Sequence, residues 1–453
     1  MNIIFAGMIE GHKNSHAPFV TDPISGVTVT GHEFYSMVKQ TTQSLTRHEA
    51  KIIHLPVANT VDSMVLICAH ALLGNTIQPE DPKKNEWIEE CKVDADIVVG
   101  SSGSTASIKR ICLRWEKILA NVGAMKKHMA VNHNNVHMLL MPLKHVNSLF
   151  YSFLVSMVVK QHIVMPSKVR LISFWKWVDD YKVKSVNVSP TIVRALNIRP
   201  VPDCTSLTTV LSASSALRKQ DHALFKNKTG IDIIQGYGLS EATNFSTVMP
   251  LDTELRTQVN QHFAEEPVMS IGTALPGQHI ITDSDGQLEI RGDSNFEGYL
   301  GHDKANLVST GDLGYYKMYE GKRYWFIHGR VKEIIKYRDQ TLYPQSIEQF
   351  VQTHIGPNEF FCFGFQNIRD TEVIGMLLDK SHWSAETEKD IVLLPTRGYE
   401  YYPRLVIVAD IDKYLTDTKK PKRILFGNIV KHKYQNTHFR NKILIDTNDD
   451  FDR

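Results

Sequence analysis

Asp96-Ile97-Val98-Val99-Gly100 reads as a short strand that runs directly into Ser101-Ser102-Gly103-Ser104-Thr105-Ala106-Ser107-Ile108-Lys109-Arg110. Small side chains let backbone N–H groups come close to an anion, the hydroxyls of Ser101, Ser102, Ser104 and Thr105 add donors, and Lys109 adds a mobile cation. Such a loop can wrap phosphates. It lacks the Gly-x-x-x-x-Gly-Lys-Ser/Thr spacing of a Walker A loop, and taken alone a Ser/Gly-rich surface loop is the commoner outcome. Around it, strand-like runs at 136–140, 183–188 and 207–211 alternate with helical stretches at 63–73, 115–127 and 190–196, which predicts a layered α/β domain.

Beyond about residue 265 the pattern changes to short strands and glycine turns. Gly286 and Gly292 flank Gln-Leu-Glu-Ile-Arg, and Gly321 precedes Tyr324-Trp325-Phe326-Ile327. This predicts a β subdomain. Pro344 opens a helix, and strands at 359–365 and 405–408 complete a small α+β module. The expected division is a large core at 1–331 and a small domain at 332–453, in keeping with the several cores that 453 residues require.

A formal charge of +2 gives no nucleic-acid footprint. The apolar run at 148–159 is too short to span a bilayer and reads as a buried helix, and the N-terminus lacks a basic signal-peptide start and is expected to be buried. Five scattered cysteines without a Cys-x-x-Cys pair predict reduced thiols and a cytoplasmic location. The polar tail 446–453 is expected to fray.

Two further stretches carry chemistry. Gln235-Gly236-Tyr237-Gly238-Leu239-Ser240-Glu241 follows the strand-like 231–234, with Tyr237 a flat face for a base, Ser240 a phosphate donor and Glu241 a carboxylate for a divalent ion. A helix cap with Glu241 in its first turn is the structural alternative. In Thr310-Gly311-Asp312-Leu313-Gly314, Asp312 can accept from vicinal ribose hydroxyls, and Arg330 follows an aromatic strand.

These stretches, with Gly329-Arg330-x-Lys332-Glu333 and the basic segment containing Gly427, occur in the order found in the adenylate-forming superfamily. The chain resembles an AMP-dependent acyl-CoA synthetase or stand-alone adenylation enzyme over nearly its whole length, with a shorter region between about 75 and 98. The resemblance implies ATP-dependent activation of a fatty or aromatic carboxylic acid as its acyl-adenylate, then transfer to CoA or to the pantetheine thiol of a carrier protein. It implies that Ser101, Ser102, Gly103, Ser104, Thr105 and Lys109 hold the β- and γ-phosphates, and that Ser214, Ser215 and Ala216 face Gly236, Tyr237 and Gly238 across adenine. It assigns Ser240 to the α-phosphate, Glu241 to Mg²⁺, Asp312 and Arg330 to ribose, His145 to the acyl pocket and Lys332 to an interdomain hinge. No nucleic-acid or membrane partner is expected, and a homodimer is admitted.

Three places in the chain depart from the family pattern. Ala106, Ile108 and Arg110 replace Gly, Pro and Gly in the phosphate loop, and Asp339 replaces a glycine near the thiol path. After Gly427 the family's catalytic lysine aligns with Asn428, so Lys422 and Lys431 are the candidates to substitute for it. The uncharged amide of Asn428 and the carboxylate of Asp339 favour the alternative reading, a non-adenylating paralogue that binds nucleotide or acyl-adenylate as a regulatory or scaffold subunit.

Overall fold

Six parallel strands form the centre of a nine-stranded sheet, and the sequence explains why they lie inside. Met138, Val186, Val210 and Ile233 pack on one face; Leu139, Leu211 and Ile234 pack on the other. Strands apolar on both sides need cover on both sides, which the intervening helices supply. A computed structural model describes residues 3–49, 51–90, 94–100, 109–202, 205–304, 307–337, 340–356, 358–368, 372–396, 401–416, 420–437, 439 and 443–447. The phosphate loop, 101–108, and Asp339 lie outside the described residues.

The sheet runs Thr273–Ala274, Phe245–Val248, Ile234–Gly238, Thr209–Ser212, Val183–Val188, Val136–Leu139, His162–Val164, Pro18–Thr21, Thr28–Thr30, with antiparallel strands at both edges. Ser189 caps the helix Pro190–Asn197 by accepting from the Ile192 N–H, and Pro190 supplies the preset φ of its first turn. The N-terminal helix Ile3–Glu10 buries Phe5 and Ile9, as expected. The run expected as a buried helix begins as a π-helix, Asn147–Val155, and ends as the α-helix Ser156–Val159.

A second sheet of six strands contains Ile97–Gly100 and Arg110–Leu113, an antiparallel pair that forms the stem of the phosphate loop. A four-stranded antiparallel sheet carries the long hairpin Val308–Tyr319 and Lys322–Arg330. After it come a two-stranded ribbon and a four-stranded sheet, Phe360–Phe365, Val373–Asp379, Leu405–Ala409 and Leu444–Asp446, packed by the helices Pro344–Ile355 and Arg423–Tyr434. The chain is thus a large mixed α/β region followed by a smaller α+β module. Among the described residues, no helix is long and apolar enough to cross a membrane.

Candidate active site

Ligands of open parallel sheets bind outside the carboxyl ends of the strands. Here those ends carry Ser189, the Ala213–Ala216 turn and the Gly236–Gly238 segment. The expected strand at 231–234 starts later, at Ile234, and continues through both glycines to Gly238. Those glycines are required: a Cβ on Gly238 would stand 1.6 Å from the Asn244 carbonyl oxygen, and one on Gly236 would stand 2.6 Å from the Phe245 ring. The antiparallel partner Phe245–Val248 thus presses on the strand, and Glu241 falls in the 3₁₀ turn Ser240–Ala242 instead of a helix cap. Ser214 has φ 79°, a left-handed conformation that an L-residue occupies at a cost of about 1–3 kcal/mol, and Ala216 beside it is exposed. Such strain concentrates at ligand-binding turns.

Tyr237 donates its hydroxyl to Asp312 Oδ2 at 2.8 Å, and Arg330 Nε donates to Oδ1 at 2.7 Å. Strand pairing sets this contact, because Asp312 and Arg330 are register partners in their hairpin. Asp312 is buried, and Arg330 keeps 40% of its side chain exposed. Burial and then the Asp312 charge push the Tyr237 phenol well above its ordinary value, so the tyrosine is a donor.

On the facing side the Tyr299 hydroxyl donates to Glu241 Oε1 at 3.0 Å, and the Lys109 ammonium lies 4.5 Å from the Tyr299 ring centroid. One aromatic side chain therefore touches both the expected phosphate cation and the expected metal ligand. Tyr299 belongs to the short strand Gly298–Tyr299, paired with Ile111 and Cys112 just beyond the phosphate loop. Its role was not anticipated from sequence, although Gly298-Tyr299 between two turns was the available signal.

The third group is Lys420. Its ammonium is brought down to about 8 by burial and by Arg330, and Asp312, Glu241 and Glu333 oppose that shift. Its charge is thus coupled to the carboxylates and the arginine of the site. A turn presents it: Leu415 bridges Pro421, Thr416 N–H donates to the Lys420 carbonyl at 2.8 Å, and Lys420 N–H donates to the Thr416 hydroxyl at 3.0 Å.

The residues expected from the sequence alignment lie further along the same segment. The helix starts at Arg423, so Asn428 lies more than a turn inside it, exposed, while Lys422 caps its start and Lys431 lies further along, both partly buried. Gly427 serves packing instead, since a Cβ there would stand 2.3 Å from the Gly364 carbonyl oxygen.

The remaining expected residues are dispersed. Ser240 is half-buried at the turn. His145 is half-buried at the turn into the π-helix, where its carbonyl accepts from Leu149 N–H at 2.9 Å. Lys332 is exposed in the 3₁₀ turn Val331–Glu333. Arg110, read as a departure, is a stem anchor: it makes two bonds to Glu89, at 3.0 and 2.6 Å, and one to Gln78 at 2.9 Å. Glu89 also meets His54, which stacks on Trp87 at 3.6 Å. Arg110 and then His54 hold the Glu89 carboxyl down at about 2.

A parallel sheet with a glycine-lined strand end, an Asp–Arg–Tyr triad and a lysine-bearing second module defines a nucleotide-dependent adenylate-forming class. The chain belongs to the AMP-binding enzyme family, which matches residues 37–300, and so to the adenylate-forming superfamily of acyl-CoA synthetase-like ligases. Among curated relatives, 4-coumarate–CoA ligase-like 9 of Arabidopsis thaliana is 27% identical over 278 residues, 58% of this chain and 49% of that protein. The 4-coumarate–CoA ligase of Vanilla planifolia is 25% identical over 383 residues, 78% of this chain and 66% of that protein. The chain thus spans about half to two thirds of the length of the curated relatives it matches. Solved structures share the fold over more of the chain. The o-succinylbenzoate CoA synthetase of Bacillus subtilis, in complex with its acyl-adenylate, superposes with a TM-score of 0.75 at 15% identity, covering 92% of this chain and 97% of its own. ATP-bound MatB of Rhodopseudomonas palustris gives 0.77 at 16% identity, covering 95% and 98%.

Proposed function

We propose that the protein uses MgATP to convert a carboxylic acid into its acyl-adenylate and then passes the acyl group to a thiol, either CoA or a carrier-protein pantetheine. The observation that carries this reading is the pairing, at the end of the large sheet, of Asp312 held by Tyr237 and Arg330 with Glu241 held by Tyr299 beside Lys109. The carboxylate, ionised at neutral pH, attacks the α-phosphorus and pyrophosphate leaves. No protein nucleophile is needed. Asp312, with Tyr237 and Arg330 fixing its orientation, accepts from the ribose hydroxyls; Ser214, Ser215, Ala216, Gly236 and Gly238 border the base; Ser240 donates to the α-phosphate. Lys109 and the 101–108 loop take the outer phosphates, and Lys420 places a cation where charge builds between carboxylate and α-phosphate.

Glu241, oriented by Tyr299, offers the hard oxygen that Mg²⁺ prefers. Among the described residues no group of three or more metal-ligating side chains is found, which suits an ion held by one carboxylate and substrate phosphates. When bound, Mg²⁺ neutralises phosphate charge. On this reading His145 lines the acyl pocket and Lys332 is the hinge between a core of 1–331 and a mobile domain of 332–453, a role its exposed position in the Val331–Glu333 turn supports. The buried thiols Cys68, Cys112 and Cys362 suit a reducing cytoplasm. The non-adenylating alternative drew on Asn428 and Asp339; a lysine supplied by position 420 would remove the first of these supports, and Asp339 lies outside the described residues.

The experiment is acid-dependent exchange of labelled pyrophosphate into ATP, run across fatty, aromatic and amino acids. Exchange with at least one acid is expected. ATP binding without exchange for any acid would favour the non-adenylating reading.

A further inference from the structure

The C-terminal module meets the large region along a seam that is ionic. Arg218 lies directly after the Ser214–Leu217 turn and directly before the helix Lys219–Thr229, and its side chain reaches into the other module. One terminal nitrogen donates to the Phe360 carbonyl at 2.8 Å; the other donates to the Asn358 carbonyl at 3.4 Å and to Gln352 Oε1. The guanidinium also lies 4.7 Å from the Phe360 ring centroid. Beside it Arg194 donates to Glu359 at 3.3 Å and pairs with Asp221 at 3.6 Å.

We propose that Arg218 is the positioning residue that docks the C-terminal module in the orientation in which Lys420 faces the nucleotide site. This rests on the reading of that site given above. Its hydrogen bonds all go to residues 134–142 positions later in the chain, so it fastens one module to the other. The carbonyls it holds lie at the start of the strand Phe360–Phe365, and a rigid path leads from there to Lys420. Phe363 packs on Phe426 at 4.9 Å, and Glu348 joins the Cys362 N–H at 2.8 Å to Arg423 at 2.5 Å. Arg423 is the first residue of the helix that follows the Lys420 turn. Seams rich in charge separate without exposing a large apolar surface, and a released guanidinium stays hydrated, so the contact holds the module while allowing it to leave.

The test uses the full chain without nucleotide or acid and measures amine-reactive ester labelling of individual lysines by mass spectrometry. Docked Lys420 is shielded. Arg218→Ala removes hydrogen bonds made by a charged group and is expected to raise the Lys420 labelling rate about tenfold. Arg218→Lys restores part of the protection, and Glu359→Ala gives a smaller rise. Lys389, exposed on a helix of the same module, keeps its rate, which separates undocking from unfolding. A folded Arg218→Ala protein with an unchanged Lys420 rate overturns the proposal. If that variant does not fold, an unchanged rate in Glu359→Ala overturns it. Because no substrate is used, failure of every acid in the exchange assay counts against the activity and leaves this result independent.

Discussion

Asp232 and Asp312 are both buried and both meet arginines, and the difference between them separates a fastener from a receptor. Asp232 has a side chain with no exposed surface. His222 and Asn260 reach one of its oxygens at 2.8 and 3.5 Å, and Lys226 and Thr257 reach the other at 2.7 and 3.0 Å, with Arg256 alongside at 3.6 Å. A carboxylate has about four lone-pair sites, and the chain fills them. Burial alone would push this carboxyl upward; His222 and Lys226 overcome it and hold the group well below the usual carboxylate range. Asp312 receives one side-chain donor on each oxygen, Tyr237 and Arg330, which leaves roughly two sites for hydroxyls of a ligand. Its arginine is partly exposed.

The contrast breaks most sharply on stability. Asp232→Ala strands His222, Lys226 and Arg256 and is expected to cost about 3–5 kcal/mol of unfolding free energy, measured by urea denaturation, while the folded fraction keeps its ATP affinity. Asp312→Ala should do the reverse. ATP binding, measured by calorimetry, weakens by about 1.5–3 kcal/mol through loss of hydrogen bonds to a charged group, and the denaturation midpoint moves less than for Asp232→Ala. Equal stability losses in the two variants would erase the distinction.

Smaller effects sharpen it. Tyr299→Phe removes the donor to Glu241 and keeps the ring beneath Lys109, so the Mg²⁺ concentration for half-maximal ATP binding rises by a factor matching about 0.5–1.5 kcal/mol. The pH profile adds a further check. Lys420 is depressed from 10.5 to about 8, so it is cationic below that value and neutral above it. Pyrophosphate exchange should therefore decline as pH rises through about 8, and Lys420→Arg should remove that limb.

Much of the arrangement at the end of the large sheet could be read from the sequence because its residues sit in short stretches with fixed local geometry. Gly236 and Gly238 fill places that a Cβ cannot, and Asp312 and Arg330 are register partners in one hairpin. Pairings between distant residues were hidden. Tyr299 meets Glu241 from 58 residues away, and no local pattern announces that contact. Arg110 looked like a lost glycine because its partner Glu89 lies on a strand that no local pattern announces. If Lys420 is the catalytic cation, as proposed, it was passed over for a different reason: the residue before it is Lys419, and Gly427 eight residues later attracted the alignment while packing against the Gly364 carbonyl.

The central claim is that the C-terminal module delivers its cation from position 420. Lys420→Ala and Asn428→Ala, compared side by side in the pyrophosphate exchange assay with an acid that supports activity, test it most directly. The account predicts a loss of roughly 10²–10³ for Lys420→Ala, the scale of removing one group that stabilises developing charge, and a near-parental rate for Asn428→Ala. A folded Lys420→Ala protein that exchanges at the parental rate, or an Asn428→Ala protein that loses exchange, would contradict it.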